Sequence, residues 1–407
     1  MHITLSSDSK QIQGQIHLSS SKSESNRALI IDALSGNKLK LRNLSNARDT
    51  KTMQKLLGTT KKIWNVLDAG TTMRFCTAYL SIVGENHVIT GTERMKNRPI
   101  GLLVESLRSL GAAIQYLEKE NYPPLQINAI KDQETAEISI PGNVSSQYIS
   151  ALLMIGPNLP EGLILNLTGN IYSRPYIEMT LGLMEKFGID YDWSQNQIHI
   201  PPQFYQPGEY SIESDWSGAS YWYSIASLAK NAEIKLPGLK KDSLQGDSKI
   251  AKIMSRLGVI TEYNDSGVQL LTHQVKYGEL EFDFRDCPDL AQTVMVAAAV
   301  NHVTLKMTGL ESLKIKETDR ILAMKNELRK IGTGLKENQN SWELIPGDVP
   351  ERIPPIETYE DHRMAMAFAP LGLIRKVTIR DPDVVKKSYP GFWDDLRSVG
   401  FLINQGS

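Results

Sequence analysis

Apolar positions along this chain recur in a fixed order. A helical apolar face closes on glycine and a short strand pattern comes next, at Leu57-Gly58, Leu110-Gly111, Phe187-Gly188, Leu257-Gly258, Ile331-Gly332 and Val399-Gly400. Glycine at such a point predicts a left-handed helix C-cap, because it has no Cβ to clash at positive φ. Ahead of each glycine lies the same succession: a helix opening on small polar residues, a strand, a polar loop with Lys or Arg, then the helix that the glycine ends. The first helices open in S-S-S-K-S-E-S-N-R-A-L, D-A-G-T-T-M-R-F, N-V-S-S-Q-Y-I-S-A-L-L, S-D-W-S-G-A-S-Y-W, D-C-P-D-L-A-Q-T and T-Y-E-D-H-R-M-A-M. Strands are predicted at 38–44, 87–90, 163–167, 233–237, 303–307 and 376–380, and second helices from near Asp49, Arg98, Pro175, Asp247, Glu317 and Tyr389.

Six such units divide naturally as three plus three, giving an α/β chain of two domains. The first unit is trimmed, since T-T-K-K-I-W-N-V-L between Gly58 and Asp68 has room for one strand and no hairpin. The seam falls before the fourth unit, near Ser214, and the N-terminal strands at 3–5 and 12–18 belong with the second half. The expected domains are therefore 1–20 with 214–407, and 21–213. They are joined by a double crossing near Ser20 and Ser214 that acts as a hinge.

Bulk properties agree. A chain of 407 residues is too long for one core and suits two domains of about 200 residues each. Its 41% apolar and 22% charged residues are ordinary for a soluble globular protein. A net charge of −1 argues against non-specific nucleic-acid binding, so an anion site has to come from local clustering. Cys76 and Cys287 lack metal or redox spacing and read as reduced thiols. No run approaches signal or membrane-span length, which predicts a cytoplasmic protein.

The charged residues gather where strands hand over to helices. In residues 313–320, L-K-I-K-E-T-D-R, Thr318 and Asp319 suit a helix cap, and Lys316 and Arg320 flank the carboxylate of Glu317. The next helix carries Ile321, Leu322, Met324, Leu328 and Ile331 as its apolar set. Two cations about a carboxylate at a positive helix end suit a doubly charged anion with a proton to move. Lys22, Ser23 and Arg27 make a phosphate cradle without a P-loop pattern. Gly70 permits close backbone approach, with Thr71 as a cap, and Arg98 precedes a proline expected at helix position N1. Ser145-Ser146-Gln147 and Ser173 open helices with hydroxyls. Asp289 stands at the mouth of the apolar stretch 294–300, where burial favours base work. His362 reads as a core or capping histidine, and Lys387 as a basic loop residue. Each alone is what an ordinary N-cap uses. Their shared position would bring Lys22, Arg27, Arg98, Lys316, Arg320, Arg363 and Lys387 around one cleft made for small polyanions.

These motifs, taken in order, resemble the enolpyruvyl transferase superfamily, and within it the branch that acts on shikimate 3-phosphate. The resemblance rests on S-K-S-x-S-N-R-A, D-A-G-T-T-M-R-F, R-M-K-N-R-P-I-G, S-S-Q-Y, S-R-P-Y, D-W-S-G-A-S-Y, P-D-L-A-Q-T, K-E-T-D-R, D-H-R-M-A-M and K-S-Y-P-G-F, and it covers nearly the whole chain. It implies an inside-out α/β barrel fold of two domains, each of three βαβαββ units. It implies transfer of the enolpyruvyl group of phosphoenolpyruvate to the 5-hydroxyl of shikimate 3-phosphate by addition and elimination. It also implies a cytoplasmic monomer whose partners are those two small molecules, with no metal, organic cofactor, nucleic acid or membrane. Carried over by motif, Lys22, Ser23, Arg27, Ser145, Ser146, Ser173 and Lys316 would hold shikimate 3-phosphate, and Gln147 could serve both substrates. Gly70, Arg98, Arg320, Arg363 and Lys387 would hold phosphoenolpyruvate. Asp289 would take the hydroxyl proton, and Glu317 and Lys22 would move protons at the methylene carbon.

The chain departs from the family pattern in four places. Ser19-Ser20 replaces the usual Pro-Gly, Asp68 replaces the usual Asn, and Ser312 stands where a substrate-contacting Asn is common. The trimmed first unit lacks a hairpin. Asp68 and the missing Pro-Gly motivate one alternative, an anion-binding protein without turnover. The other is the sister branch that acts on UDP-N-acetylglucosamine, which commonly uses a loop cysteine. Neither Cys76 nor Cys287 has that setting.

Overall fold

A computed structural model of the protein describes residues 1–273, 278–316 and 318–406. The chain divides into two compact units, one of Met1–Ser21 with Glu213–Ser407 and one of Lys22–Ile212. Within the first, Ser20 and Ser214 form an antiparallel bridge. Ser21 N–H donates to the Glu213 carbonyl at 2.8 Å, and Asp215 N–H to that of Ser19 at 3.0 Å.

In the Lys22–Ile212 unit, strand Ile63–Asn65 runs parallel to His87–Thr90, which pairs antiparallel with Leu125–Asn128, which pairs in turn with Ala113–Tyr116. Glu137–Pro141, Leu163–Thr168, Gln197–Ile200 and Asp192–Ser194 repeat that order. Strict alternation explains these strands: Leu163, Leu165 and Leu167 are buried while the residues between them face outward. Gly208–Ser211 and Leu39–Arg42 form a parallel pair with no hairpin attached. Helices Lys22–Leu34, Gly70–Val83 and Ser146–Ile155 pack on one another. They are buried over most of their length; Gly70–Val83 and Ser146–Ile155 are largely apolar, while Lys22–Leu34 also buries Glu24, Ser25, Asn26 and Arg27.

The other unit reuses the same order. Gln11–Gln15, Asn231–Pro237, Gly267–Thr272 and Val259–Asn264 make one such sheet, and Glu279–Asp283, Thr304–Thr308, Ser341–Ile345 and Gly334–Asn338 another. In the third, Val377–Arg380 takes a parallel bridge from Ile356 and pairs antiparallel with the N-terminal strand His2–Ser6, whose other neighbour is Leu402–Gly406. The chain's first strand thus stands where the other sheets place the last strand of a hairpin. The buried helices here are Trp216–Leu228, Ala291–Val300 and His362–Phe368, and they pack on one another over one continuous core. Among the described residues no helix is long and apolar enough to cross a membrane.

Three sequence expectations are corrected. Gly111, Gly188, Gly258, Gly332 and Gly400 have positive φ, but Gly58 sits at φ −90°. Without a hairpin after it, the chain needs no left-handed reversal there. Pro99 is not a helix N1 residue: the helix runs Gly101–Ser109, and a separate short helix, Glu93–Lys96, precedes it. Leu322 is 55% exposed, because the helix Arg320–Lys330 buries Ile321, Met324 and Leu328, and position 322 falls off that stripe.

Candidate active site

In the Lys22–Ile212 unit, polar residues meet at the starts of the three buried helices. Lys22 Nζ lies 3.4 Å from Asp49 Oδ2, and Asp49 is buried. Thr71 does not cap its helix; its Oγ1 accepts from Gln147 Nε2 at 3.0 Å, joining two helix starts. Ser145 caps the helix Ser146–Ile155, accepting from Gln147 N–H at 3.4 Å. Ser173 takes the left-handed conformation (φ 54°, ψ 35°) just before Arg174–Lys186.

Arg98 lies against Gly70. A Cβ on that glycine would come within 2.5 Å of Arg98 Nη1 and 2.9 Å of its Cζ, so only glycine lets the guanidinium rest on this helix start. The loop is braced behind it. The Pro99 carbonyl accepts from Tyr148 Oη at 2.6 Å and from Arg74 Nη2 at 3.0 Å, while Arg74 Nη1 donates to the Gly70 carbonyl at 3.2 Å. Arg74 and Tyr148 stand inside motifs already singled out, but their bonds to loop carbonyls leave no mark in the sequence.

Arg27 is 2% exposed and turned inward. It donates to Thr180 Oγ1 (2.7 Å), the Ser23 carbonyl (3.0 Å), Ser150 Oγ (3.0 Å) and the Tyr176 carbonyl (3.2 Å), and stacks over Phe75. Burial pushes the guanidinium down to about 10, which leaves it charged at neutral pH. Asp68, the residue that replaces the usual Asn, accepts from Arg48 Nη2 through both carboxylate oxygens, at 2.7 and 2.8 Å.

In the other unit the organising group is Asp289. Its Oδ1 accepts from Arg320 Nη1 at 2.9 Å and its Oδ2 from Arg363 Nη2 at 2.9 Å, while Arg363 Nη1 also reaches the Asp289 carbonyl at 3.1 Å. Lys316 Nζ stands 3.9 Å from Oδ1. Arg320 turns its Nε to Asp361 Oδ2 at 2.6 Å, and Asp361 Oδ1 caps the next helix by accepting from Arg363 N–H at 2.9 Å. Arg320 and Asp361 are buried; Asp289 keeps 18% of its side chain exposed. Arg320, Arg363 and Lys316 thus gather about the Asp289 carboxylate. The sequence reading of Asp289 rested on burial; the structure adds two guanidiniums in contact with its carboxylate.

Lys316 is not part of the helix, which begins at Arg320 with Asp319 as its cap, yet it reaches the same carboxylate. His362 is buried, with Nδ1 at 3.6 Å from Asp361 Oδ1. Lys387 is 4% exposed, at the end of the 3-10 turn Pro382–Lys387, rather than on an open loop. Ser312 lies in the turn Glu311–Ile315. Glu317 lies outside the described residues. Cys76 and Cys287 are buried; burial raises both thiols, Cys287 to about 12, which leaves neither a ready nucleophile.

A family model described as EPSP synthase (3-phosphoshikimate 1-carboxyvinyltransferase) matches residues 7–66 and 59–396. A Bacteroides fragilis protein named 3-phosphoshikimate 1-carboxyvinyltransferase is 52% identical over 400 residues, covering 97% of each chain. A Vibrio campbellii protein of the same name is 35% identical, covering 96% of this chain and 97% of its own. The solved structure of EPSP synthase from Acinetobacter baumannii has the same two-domain mixed α/β fold, with a TM-score of 0.78 at 19% identity and full coverage of both chains. On a match that spans most of its length, the chain belongs to the EPSP synthase (3-phosphoshikimate 1-carboxyvinyltransferase) family.

Proposed function

We infer that this protein transfers the enolpyruvyl group of phosphoenolpyruvate to the 5-hydroxyl of shikimate 3-phosphate and releases phosphate. Family membership and the names of its relatives support the reaction. The observation that carries the site reading is Asp289 held between Arg320 and Arg363. In this reading the two guanidiniums grip the carboxylate of phosphoenolpyruvate. As the incoming anion takes up their donors, Asp289 turns its oxygens to the 5-hydroxyl of the acceptor and takes the proton. The hydroxyl oxygen bonds to C2 of phosphoenolpyruvate while a proton adds to C3, giving a tetrahedral intermediate. Loss of phosphate from C2 and of a proton from C3 restores the double bond. Glu317 and Lys22 carry the C3 protons, both on the strength of the resemblance.

Gly70, Arg98 and Lys387 also serve phosphoenolpyruvate, Gly70 and Arg98 as a backbone-and-guanidinium corner at a helix start. Lys22, Ser23, Ser145, Ser146, Ser173, Ser312 and Lys316 serve shikimate 3-phosphate, with Gln147 shared. Arg27 acts there by fixing Ser23 and the Tyr176 turn, given its inward bonds. We also propose six βαβαββ repeats in an inside-out barrel arrangement, three in 21–213 and three in 1–20 with 214–407, a reading supported by the recurring strand order. The working form is a cytoplasmic monomer without metal or organic cofactor. The test is phosphate release with each substrate alone and together. Release that needs both is expected; release with UDP-N-acetylglucosamine and none with shikimate 3-phosphate overturns the assignment.

A further inference from the structure

The first turn of the helix Arg48–Leu57 touches two other helix starts. Arg48 Nη2 meets both oxygens of Asp68, two positions before Gly70. The next residue, Asp49, receives Lys22 Nζ, and its carbonyl accepts from Thr72 Oγ1 at 3.4 Å. One dipeptide thus presents opposite charges, Arg48 to the Gly70 helix and Asp49 to the Lys22 helix.

The Asp68 carboxylate sits where negative charge has two effects. It suits the positive end of the helix that starts at Gly70, and it opposes any anion bound at the Gly70–Arg98 corner. Arg48 meets both oxygens and offsets the charge of the carboxylate. Both partners are partly exposed, Arg48 at 49% and Asp68 at 26%, so the pair contributes little to folding and acts chiefly through the local field.

We propose that Arg48 is a positioning residue for phosphoenolpyruvate, which by offsetting the charge of Asp68 keeps the Gly70–Arg98 corner receptive to an anion. This rests on the assignment of phosphoenolpyruvate to that corner. The test compares wild type, R48A and the double variant R48A/D68N, by phosphate release and by calorimetric titration with phosphoenolpyruvate. R48A is expected to raise the KM for phosphoenolpyruvate about three- to tenfold, with kcat within about twofold. The rise should shrink as KCl is added, because exposed charges are screened over about 8–10 Å. R48A/D68N should bring the KM back to near wild type, since removing the carboxylate removes the need for its partner. An unchanged KM in R48A overturns the proposal. So does a double variant as impaired as R48A, which would assign Arg48 a packing role. Absence of turnover in wild type overturns the reaction itself, and the same three titrations then decide on Arg48 through the ratio of dissociation constants.

Discussion

Arg320 and Asp361 form an ion pair of 2.6 Å from which water is excluded, with 2% and 0% of their side chains exposed. The pair aims the rest of the guanidinium, so that Nη1 falls on Asp289. Asp361→Ala takes the carboxylate from the Nε side of a buried guanidinium, leaving Asp289 at Nη1, and removes the cap of the helix His362–Phe368. A loss of about 3–5 kcal/mol is expected. Denaturant unfolding of the purified variant measures it, and a loss under about 1 kcal/mol would contradict the geometry.

At Gly70 the expected effect is on affinity rather than folding. The Cβ of Gly70→Ala meets the movable end of Arg98, which can swing away while the helix stays intact. The KM for phosphoenolpyruvate should rise about tenfold or more, as displacement of a gripping side chain does. The thermal midpoint should stay near that of wild type. Steady-state kinetics and a melting curve on one preparation check both.

Asp289→Asn keeps the shape of the bridge between Arg320 and Arg363 but cannot take a proton. The rate of phosphate release should fall by about 10²–10⁴ while both substrates still bind. Isothermal titration separates the two effects.

Glu317→Gln addresses the carboxylate that the K-E-T-D-R motif supplies. A rate lower by about 10² or more with retained binding is expected. A near-normal rate removes Glu317 from the chemistry.

Alkaline pH should destabilise the protein. Burial raises the thiols of Cys76 and Cys287 above their ordinary 9.0, and the phenols of Tyr205, Tyr221 and Tyr389 above 10.0. Each group is protonated in the fold and ionises first in the unfolded chain. Their contribution is therefore whole below pH 9 and declines as pH climbs toward 12. Denaturation midpoints measured between pH 8 and 11 should hold to about pH 9 and then fall. Cys76→Ser with Cys287→Ser should delay the onset toward pH 10.

The alternation of Leu163, Leu165 and Leu167, the glycine stops and the polar helix starts were all legible in the sequence, because each depends on neighbours a few positions away. Leu322 misled for the same local reason: in sequence it is one more apolar residue beside Ile321, and only the packed helix turns it outward. Gly58 misled because a glycine takes its backbone conformation from the element after it, and here no hairpin comes next. Asp68 looked like excess negative charge until the fold set Arg48 upon it.

By itself, the sequence determined the kinds of element, their repeated order and the charged groups at the helix starts, since periodicity and capping are short-range properties of the backbone. Tertiary structure alone decided which charges meet. Arg27 finds Thr180 across 153 positions, Arg363 finds Asp289 across 74, and Arg320 finds Asp361 across 41. Such pairings arise from how helices stack in the core, where a buried cation needs a partner wherever the chain happens to bring one. No local pattern records that choice.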